Sequence, residues 1–235
     1  VKEENLPFFY QELAKLDMVA LGYNSTADIT ACPGTDTCNL GIASSTGIAE
    51  ELEKVIEAEY PQYKNNSEIE IKISGCMNAC GQHNMLVIGF QGMSINAGKL
   101  VAPALQVLLG GGNLGNGNGR FADKVIKIPS RRGPEALRYI LNDFDSNGNG
   151  TSFLKYYEEK GEKYFYEILK PLANITNLTE ADFVDWGNAD NYVKAVGVGE
   201  CAGVVIDLVA TLFLEAKDKL TFAQEAFHDT HWSDA

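Results

Sequence analysis

The chain is short of positive charge. Its 235 residues carry 19 Lys and Arg against 32 Asp and Glu, a formal net charge of −13, with only three histidines. Nucleic acids and anionic membrane faces reward clustered Lys and Arg, so this balance argues against both as partners. Long hydrophobic runs are missing as well. A spanning helix needs about 18–20 consecutive apolar residues, and the richest stretch, 201–214, is interrupted by Asp207 and reads as a buried helix. No secretion signal opens the chain. There is no initiator Met either, which points to a processed chain or a piece of a longer one. No internal repeat is visible. Neither nucleotide-cradling glycine motif occurs in the Gly-rich stretch GGGNLGNGNG (110–119). What is present is ordinary globular usage, 45% hydrophobic and 22% charged. The length suits one or two domains.

The hydrophobic pattern mixes helices and strands. Residues 5–23 predict a short helix with a stripe at Leu13, Leu16 and Val19. Ile29 to Cys38 reads as turns around Pro33 and Gly34. Thr46 can cap a helix whose inner face is Ile48, Leu52, Val55 and Ile56, stopped by Pro61. Glu68 to Ser74 alternates, with Ile69, Ile71 and Ile73 on one side and charges on the other, the mark of a half-buried strand. Further strands are expected at 85–90, 105–109 and 124–128, with 110–119 as loop. Pro134 opens a helix through Phe144. Ser152 to Leu169 reads as one long amphipathic helix. The class is α+β, with a mixed, largely antiparallel sheet, helices on one side and a C-terminal helical segment. The expected division is a domain over 1–187 and a helical extension over 188–235.

Five cysteines stand at 32, 38, 76, 80 and 201, an odd count that does not suit a disulfide framework. N-x-S/T triplets at Asn24, Asn65, Asn149, Asn174 and Asn177 would be glycan acceptors in a secreted protein. Without a secretion signal they read as products of an Asn- and Thr-rich composition, and a reducing, cytoplasmic setting is expected. Four cysteines form two close pairs, Cys32-x5-Cys38 and Cys76-x3-Cys80, with 37 residues between. Structural zinc sites favour two to four residues between close ligands. Four thiolates can also hold an iron–sulfur cube, which tolerates wider spacing. The spacing leaves three readings open: zinc, a cluster, or four unliganded thiols.

The flanking residues are more specific. The blocks TACPGTDTCNLGIA (30–43) and SGCMNACGQHNM (74–85) resemble the cluster-binding half of the sirohaem-dependent nitrite and sulfite reductases. The likeness continues through IGFQG (88–92), LGGG (109–112) and KIPSRRGPEALRYIL (127–141), and covers roughly 10–186. It implies that Cys32, Cys38, Cys76 and Cys80 ligate one [4Fe–4S] cluster and that Cys80 also bridges to the sirohaem iron. The implied activity is six-electron reduction of nitrite to ammonia or of sulfite to sulfide. A cluster touching the macrocycle suits donors that deliver electrons one at a time. Family members are built from two related halves with sirohaem between them. The partners implied are therefore a missing N-terminal half of the same polypeptide, an electron donor such as ferredoxin or a flavoprotein, and a small inorganic anion. Only the second half is recognisable, so this piece alone is expected to be inactive.

Lesser candidates follow by physical role. Asn78 can donate to a cluster sulfur or act as a turn residue. Gly75 and Gly81 flank ligands where backbone must approach closely. His83 can meet a sirohaem carboxylate or be structural. Arg131 and Arg132 offer bidentate contacts to carboxylates or sit at the surface. The Gly-rich loop offers N–H groups to the same carboxylates, or is a plain hairpin. DFDSNG (143–148) matches half of an EF-hand loop but places Leu154 where the bidentate Glu belongs, so calcium is not expected. In the tail, Cys201, Val205, Leu208 and Leu212 line a helix face continued by Phe222, Ala226 and Phe227, which makes Cys201 a core residue; His228 and His231 lack a third ligand. Two other functions compete: a structural zinc module, and a secreted interaction domain.

Overall fold

β-Branched residues alternating with charges build the middle of the sheet. In a computed structural model, described for residues 1–193 apart from 20, 21, 24 and 99 and beyond them for 216, 217, 219–221 and 224, the strands are β1 (Thr30–Ala31), β2 (Ile71–Ser74), β3 (Ile88–Ala97), β4 (Leu100–Leu109), β5 (Gly112–Gly115), β6 (Asn118–Arg120) and β7 (Asp123–Pro129). Five of them form one sheet in the order β1-β2-β3-β4-β7. β1, β2 and β3 run parallel; β3, β4 and β7 are antiparallel and supply most of the pairing. The helices are α1 (Leu6–Lys15), α2 (Ser45–Glu59), α3 (Gly133–Asn147), α4 (Phe153–Lys160) and α5 (Glu162–Leu169). The architecture is the α+β class with a largely antiparallel sheet.

Register explains the core. Ile73 faces Phe90, Phe90 faces Val107 and Val107 faces Ile126, so one row of apolar side chains crosses four strands. All four are buried in one cluster with Ile48, Leu52 and Ile56 of α2, Leu137 and Ile140 of α3, and Phe165 of α5. The chain divides into two compact units, Val1–Gly197 and Val198–Ala235. Most of the second lies outside the described residues, as do Asn24, Cys201, Val205, Leu208, Leu212, Phe222, Ala226, Phe227, His228 and His231. No described helix is long and apolar enough to cross a membrane.

Several local expectations change, each for a physical reason. The stretch 152–169 is two helices, because Gly161 takes φ 80° and breaks the hydrogen-bond ladder there. Helix α1 is shorter than its pattern, and its stripe does not dock: Leu13 and Leu16 are 38% and 68% exposed. The cap of α2 is Ser44, whose Oγ accepts the Gly47 N–H at 3.1 Å. Thr46 turns instead to Asp36 at 2.6 Å. The segment 110–119 contains the β5–β6 hairpin, turned by Asn116 and Gly117 at φ 51° and 77°, as an Asn-Gly turn requires. The calcium decoy is used internally: Asp143 accepts the Tyr156 and Tyr164 hydroxyls at 2.6 and 2.8 Å, and Asp145 accepts that of Tyr63. Between Gly187 and Val193 there is no helix, and Val184 bridges Asn191 instead; the described residues further on, 216, 217, 219–221 and 224, are helical, as the expected C-terminal segment requires.

Phe165 is fully buried against Tyr157, Tyr164, Tyr156 and Phe153, with ring centroids 5.2–6.3 Å away. Phe165→Ala is expected to destabilise the domain by about 3–5 kcal/mol. Denaturant unfolding, with an unchanged dependence on denaturant concentration, checks this.

Candidate metal centre

Two parallel strands end side by side, and each delivers a cysteine loop. β1 pairs with β2 through Thr30–Lys72 and Ala31–Ile73. The next residue after β1 is Cys32; two residues past β2 comes Cys76. The Cys32 N–H donates to the Ile73 carbonyl at 3.2 Å, extending the ladder into the loops. Beyond it, a tight turn (34–36) places Cys38, whose N–H returns to Gly34 at 3.1 Å.

Gly75 knits the two loops together. Its carbonyl accepts the Ile42 and Ala43 N–H groups at 2.8 and 3.1 Å, and its own N–H donates to Cys32 Sγ at 3.1 Å. A Cβ there would lie 2.8 Å from the Ala43 carbonyl oxygen and from Gly34 Cα, so no larger residue fits without displacement. A Cβ at Gly81 would fall 1.9 Å from the Ile73 carbonyl. At both glycines the close approach is of chain against chain.

The electrostatics bring all four thiols into one neighbourhood. Burial pushes the Cys76 thiol up; the Asn78 N–H pulls it down; the charges of Cys32, Cys38 and Cys80 push it up again. Asn78 therefore reaches sulfur through its backbone N–H. Ala79, between the ligand positions, sits at φ 58°, a left-handed conformation uncommon for alanine. Cys76 is buried, Cys32 and Cys38 are half-buried, and Cys80 is exposed. Among the described residues no three His, Cys, Asp or Glu side chains converge tightly enough to hold a single ion.

The remaining candidates are placed elsewhere. Arg131 donates to the carbonyls of Val184 and Asp185 at 2.8 and 3.1 Å and stacks over Trp186 at 4.2 Å. Arg132 donates to the carbonyls of Leu172 and Asn174 at 2.8 and 2.7 Å and lies 3.6 Å from Asp182. Both guanidinium groups are engaged within the fold. His83 is 3% exposed, bonded to Gln91, and its Nδ1 has no partner among the described residues. Sequence reasoning missed the buried Asp185, whose carboxylate accepts the Ser44 N–H at 2.7 Å, the Trp186 N–H at 2.9 Å and the Ser130 hydroxyl at 3.3 Å. It also missed Tyr192, whose hydroxyl donates to the Ile42 carbonyl at 2.7 Å. No local pattern announces a contact across 141 or 150 residues.

Comparison with known proteins gives the family and the fold. The family described as nitrite and sulphite reductase 4Fe-4S domain matches residues 22–168. An assimilatory-type sulfite reductase of Nitratidesulfovibrio vulgaris is 27% identical over 163 residues, 68% of this chain and 68% of that protein. An assimilatory ferredoxin-dependent nitrite reductase of Haloferax mediterranei is 24% identical over 144 residues, 60% of this chain but 24% of that protein. Among solved structures, the Mycobacterium tuberculosis NirA protein superposes with TM-score 0.55 at 22% identity, over 68% of this chain and 31% of that one. Dissimilatory sulfite reductase I superposes with TM-score 0.50 at 10% identity, over 90% of this chain and 66% of that one. These two likenesses speak for the fold.

Burial, and secondarily Lys124, hold the His83 imidazole below its ordinary value of 6.5, with Gln91 opposing. The unfolded chain therefore takes up a proton near pH 6.5 that the folded chain refuses. Stability contributed by the neutral ring is whole above pH 6.5 and is lost as pH falls below it, by up to about 1.4 kcal/mol per pH unit. Anaerobic denaturant titrations between pH 7.5 and 5 check this; in His83→Gln that increment of acid sensitivity should vanish.

Proposed function

This chain belongs to the nitrite and sulphite reductase 4Fe-4S domain family, and on that premise we propose that Cys32, Cys38, Cys76 and Cys80 hold one [4Fe–4S] cluster that serves sirohaem-dependent reduction of nitrite or sulfite. The observation that carries the reading is the backbone seam at Gly75, which locks the Cys32 and Cys76 loops edge to edge. A cube needs one thiolate per iron and N–H donors against sulfur. The loops supply four cysteines, the Gly75 N–H against Cys32 and the Asn78 N–H against Cys76. The residues present fit the group.

Sirohaem, when bound, would supply the metal on which the anion is reduced. The chain's own contribution would be Cys80, which it offers outward as a thiol ligand toward that group. Cys80 is exposed, as are the apolar Met77 and Met85 of its own loop, 73% and 47%. Phe121, 67% exposed, is brought toward Met85 by the Ala122 N–H, which donates to the Asn84 carbonyl at 2.9 Å. Exposed apolar side chains around an outward ligand favour the flat face of a macrocycle there, its carboxylates being left to the rim. The cations that grip the substrate would come from a companion half, since Arg131 and Arg132 are engaged and the chain carries −13. The donor, a ferredoxin or a flavoprotein, would dock on that half too, because an acidic ferredoxin is repelled by this one.

One observation favours a second reading, in which the chain works without another half. The matched segment is 68% of both this chain and the Nitratidesulfovibrio relative, so the two are about equally long. The Haloferax and Mycobacterium proteins, of which it spans 24% and 31%, favour the companion.

Anaerobically purified protein should contain about four irons and about four acid-labile sulfides per chain; a single zinc would end the cluster reading. Reconstituted with sirohaem and a viologen dye, the chain alone should not turn over nitrite or sulfite. Turnover at the rate of an intact reductase selects the self-sufficient reading. In the assembled enzyme Cys80→Ser should cost more activity than Cys32→Ser, Cys38→Ser or Cys76→Ser, because oxygen is a poor substitute for thiolate at both metals.

A further inference from the structure

We propose that residues 179–193 form a strap that holds the Cys38 loop in its ligating position, with Asp185 and Tyr192 as the positioning residues. The inference rests on the cluster reading and goes beyond it, since 179–193 lies past the matched family segment, which ends at 168.

Cys38 is half-buried on a loop whose neighbouring residues Thr35, Asp36, Thr37 and Asn39 are exposed. Its loop (33–44) touches the rest of the site through the Ile42 and Ala43 N–H groups, both on Gly75. Its other side is open: Cys38, Asn39 and Gly41 line a cavity of about 560 Å³ together with Asn188, Asp190 and Tyr192. Where the loop faces that cavity Thr35, Asp36 and Asn39 are exposed, and its bonds there are polar.

The strap provides those bonds at two points. The Tyr192 hydroxyl donates to the Ile42 carbonyl at 2.7 Å, and Ser44 donates its N–H to Asp185 Oδ2 at 2.7 Å. They bracket the segment on which the loop turns into α2. Burial pushes the Tyr192 hydroxyl up to about 12, so it stays a donor across the physiological range. Ser44 is the cap of α2, so a buried carboxylate also sits at the positive end of that helix.

The strap is itself fixed. Val184 bridges Asn191, and the Tyr192 N–H returns to Phe183 at 2.6 Å, closing a small hairpin. Arg131 grips Val184 and Asp185 and stacks on Trp186, while the Trp186 indole N–H donates to the Ser130 carbonyl at 3.0 Å. A Cβ at Gly47 would strike Trp186 at 2.8 Å, so the tryptophan is seated against the first turn of α2. Rigid at its root, the strap is bonded at Ile42 and Ser44 to the loop that bears Cys38.

The test uses the full chain, purified anaerobically with its iron, and an excess of an iron chelator, following the loss of visible absorbance. Tyr192→Phe removes one hydroxyl and should shorten the half-time about fivefold; Asp185→Asn should shorten it about tenfold. Tyr60→Phe, which deletes a comparable hydroxyl bond to Asn142 at 2.9 Å away from the loop, should leave it unchanged. In the metal-free chain, alkylation followed by mass spectrometry should show Cys38 reacting faster in Tyr192→Phe while Cys76 keeps its wild-type rate. Wild-type half-times in both strap variants, or uniform acceleration of all four thiols, overturn the strap. A wild-type chain that holds no iron overturns the cluster reading instead, and the alkylation pattern then decides the strap by itself.

Discussion

The site depends on one backbone contact, the seam at Gly75. On the proposed reading, two stretches separated by 37 residues have to lie close enough for their cysteines to share one group. Side-chain packing alone cannot bring them so near, because a Cβ at this seam would overlap the opposing chain. The peptide groups solve this directly: one carbonyl takes two N–H groups from the Cys38 loop, and one N–H points at Cys32 sulfur. The sheet beneath sets the register. With Ala31 opposite Ile73, Cys32 falls beside Ser74 and Gly75. A slip by one residue would turn the thiols to the other face.

Where the sequence was legible, the reason is local. The alternation of Ile69, Ile71 and Ile73 with Glu and Lys marked the strand that carries Cys76, and Pro134 marked the start of α3. The cysteine blocks were legible because their glycines and ligands sit within a few residues of one another. β1 was not, since a two-residue strand has no period and owes its existence to pairing with β2. The break at Gly161 was hidden because apolar residues on both sides keep helical spacing across it. Arg131 and Arg132 looked like anion ligands because a sequence shows charge and not its partners. Those partners lie 40 to 54 residues downstream.

Asp185 shows how the same polar groups serve fold and site together. Burying a carboxylate is costly unless it is well bonded. Here the N–H groups of Ser44 and Trp186, the Ser130 hydroxyl and the nearby Arg131 oppose the effect of burial. This arrangement ties the end of β7, through Ser130 and Arg131, to the cap of α2, through Ser44. A chain segment distant in sequence thereby bears on the loop of Cys38, at a closure entropy that grows only slowly with loop length.

The exposure of the four thiols has a direction. Cys76 is buried under the loops, Cys32 and Cys38 are intermediate, and Cys80 opens outward next to Met77. A cluster held by this set has one end against the core and one against whatever covers Cys80. The core end is supplied with N–H donors, which favour the thiolate and tune the metal behind it. The outer end has the left-handed Ala79 and exposed apolar side chains in place of such donors. On the proposed reading, an exposed Cys80 with exposed Met77 and Met85 in its own loop would be well placed to meet a second, flat metal group. On the same reading, this polarity would give the sheet side to holding the cluster and the Cys80 side to the second group.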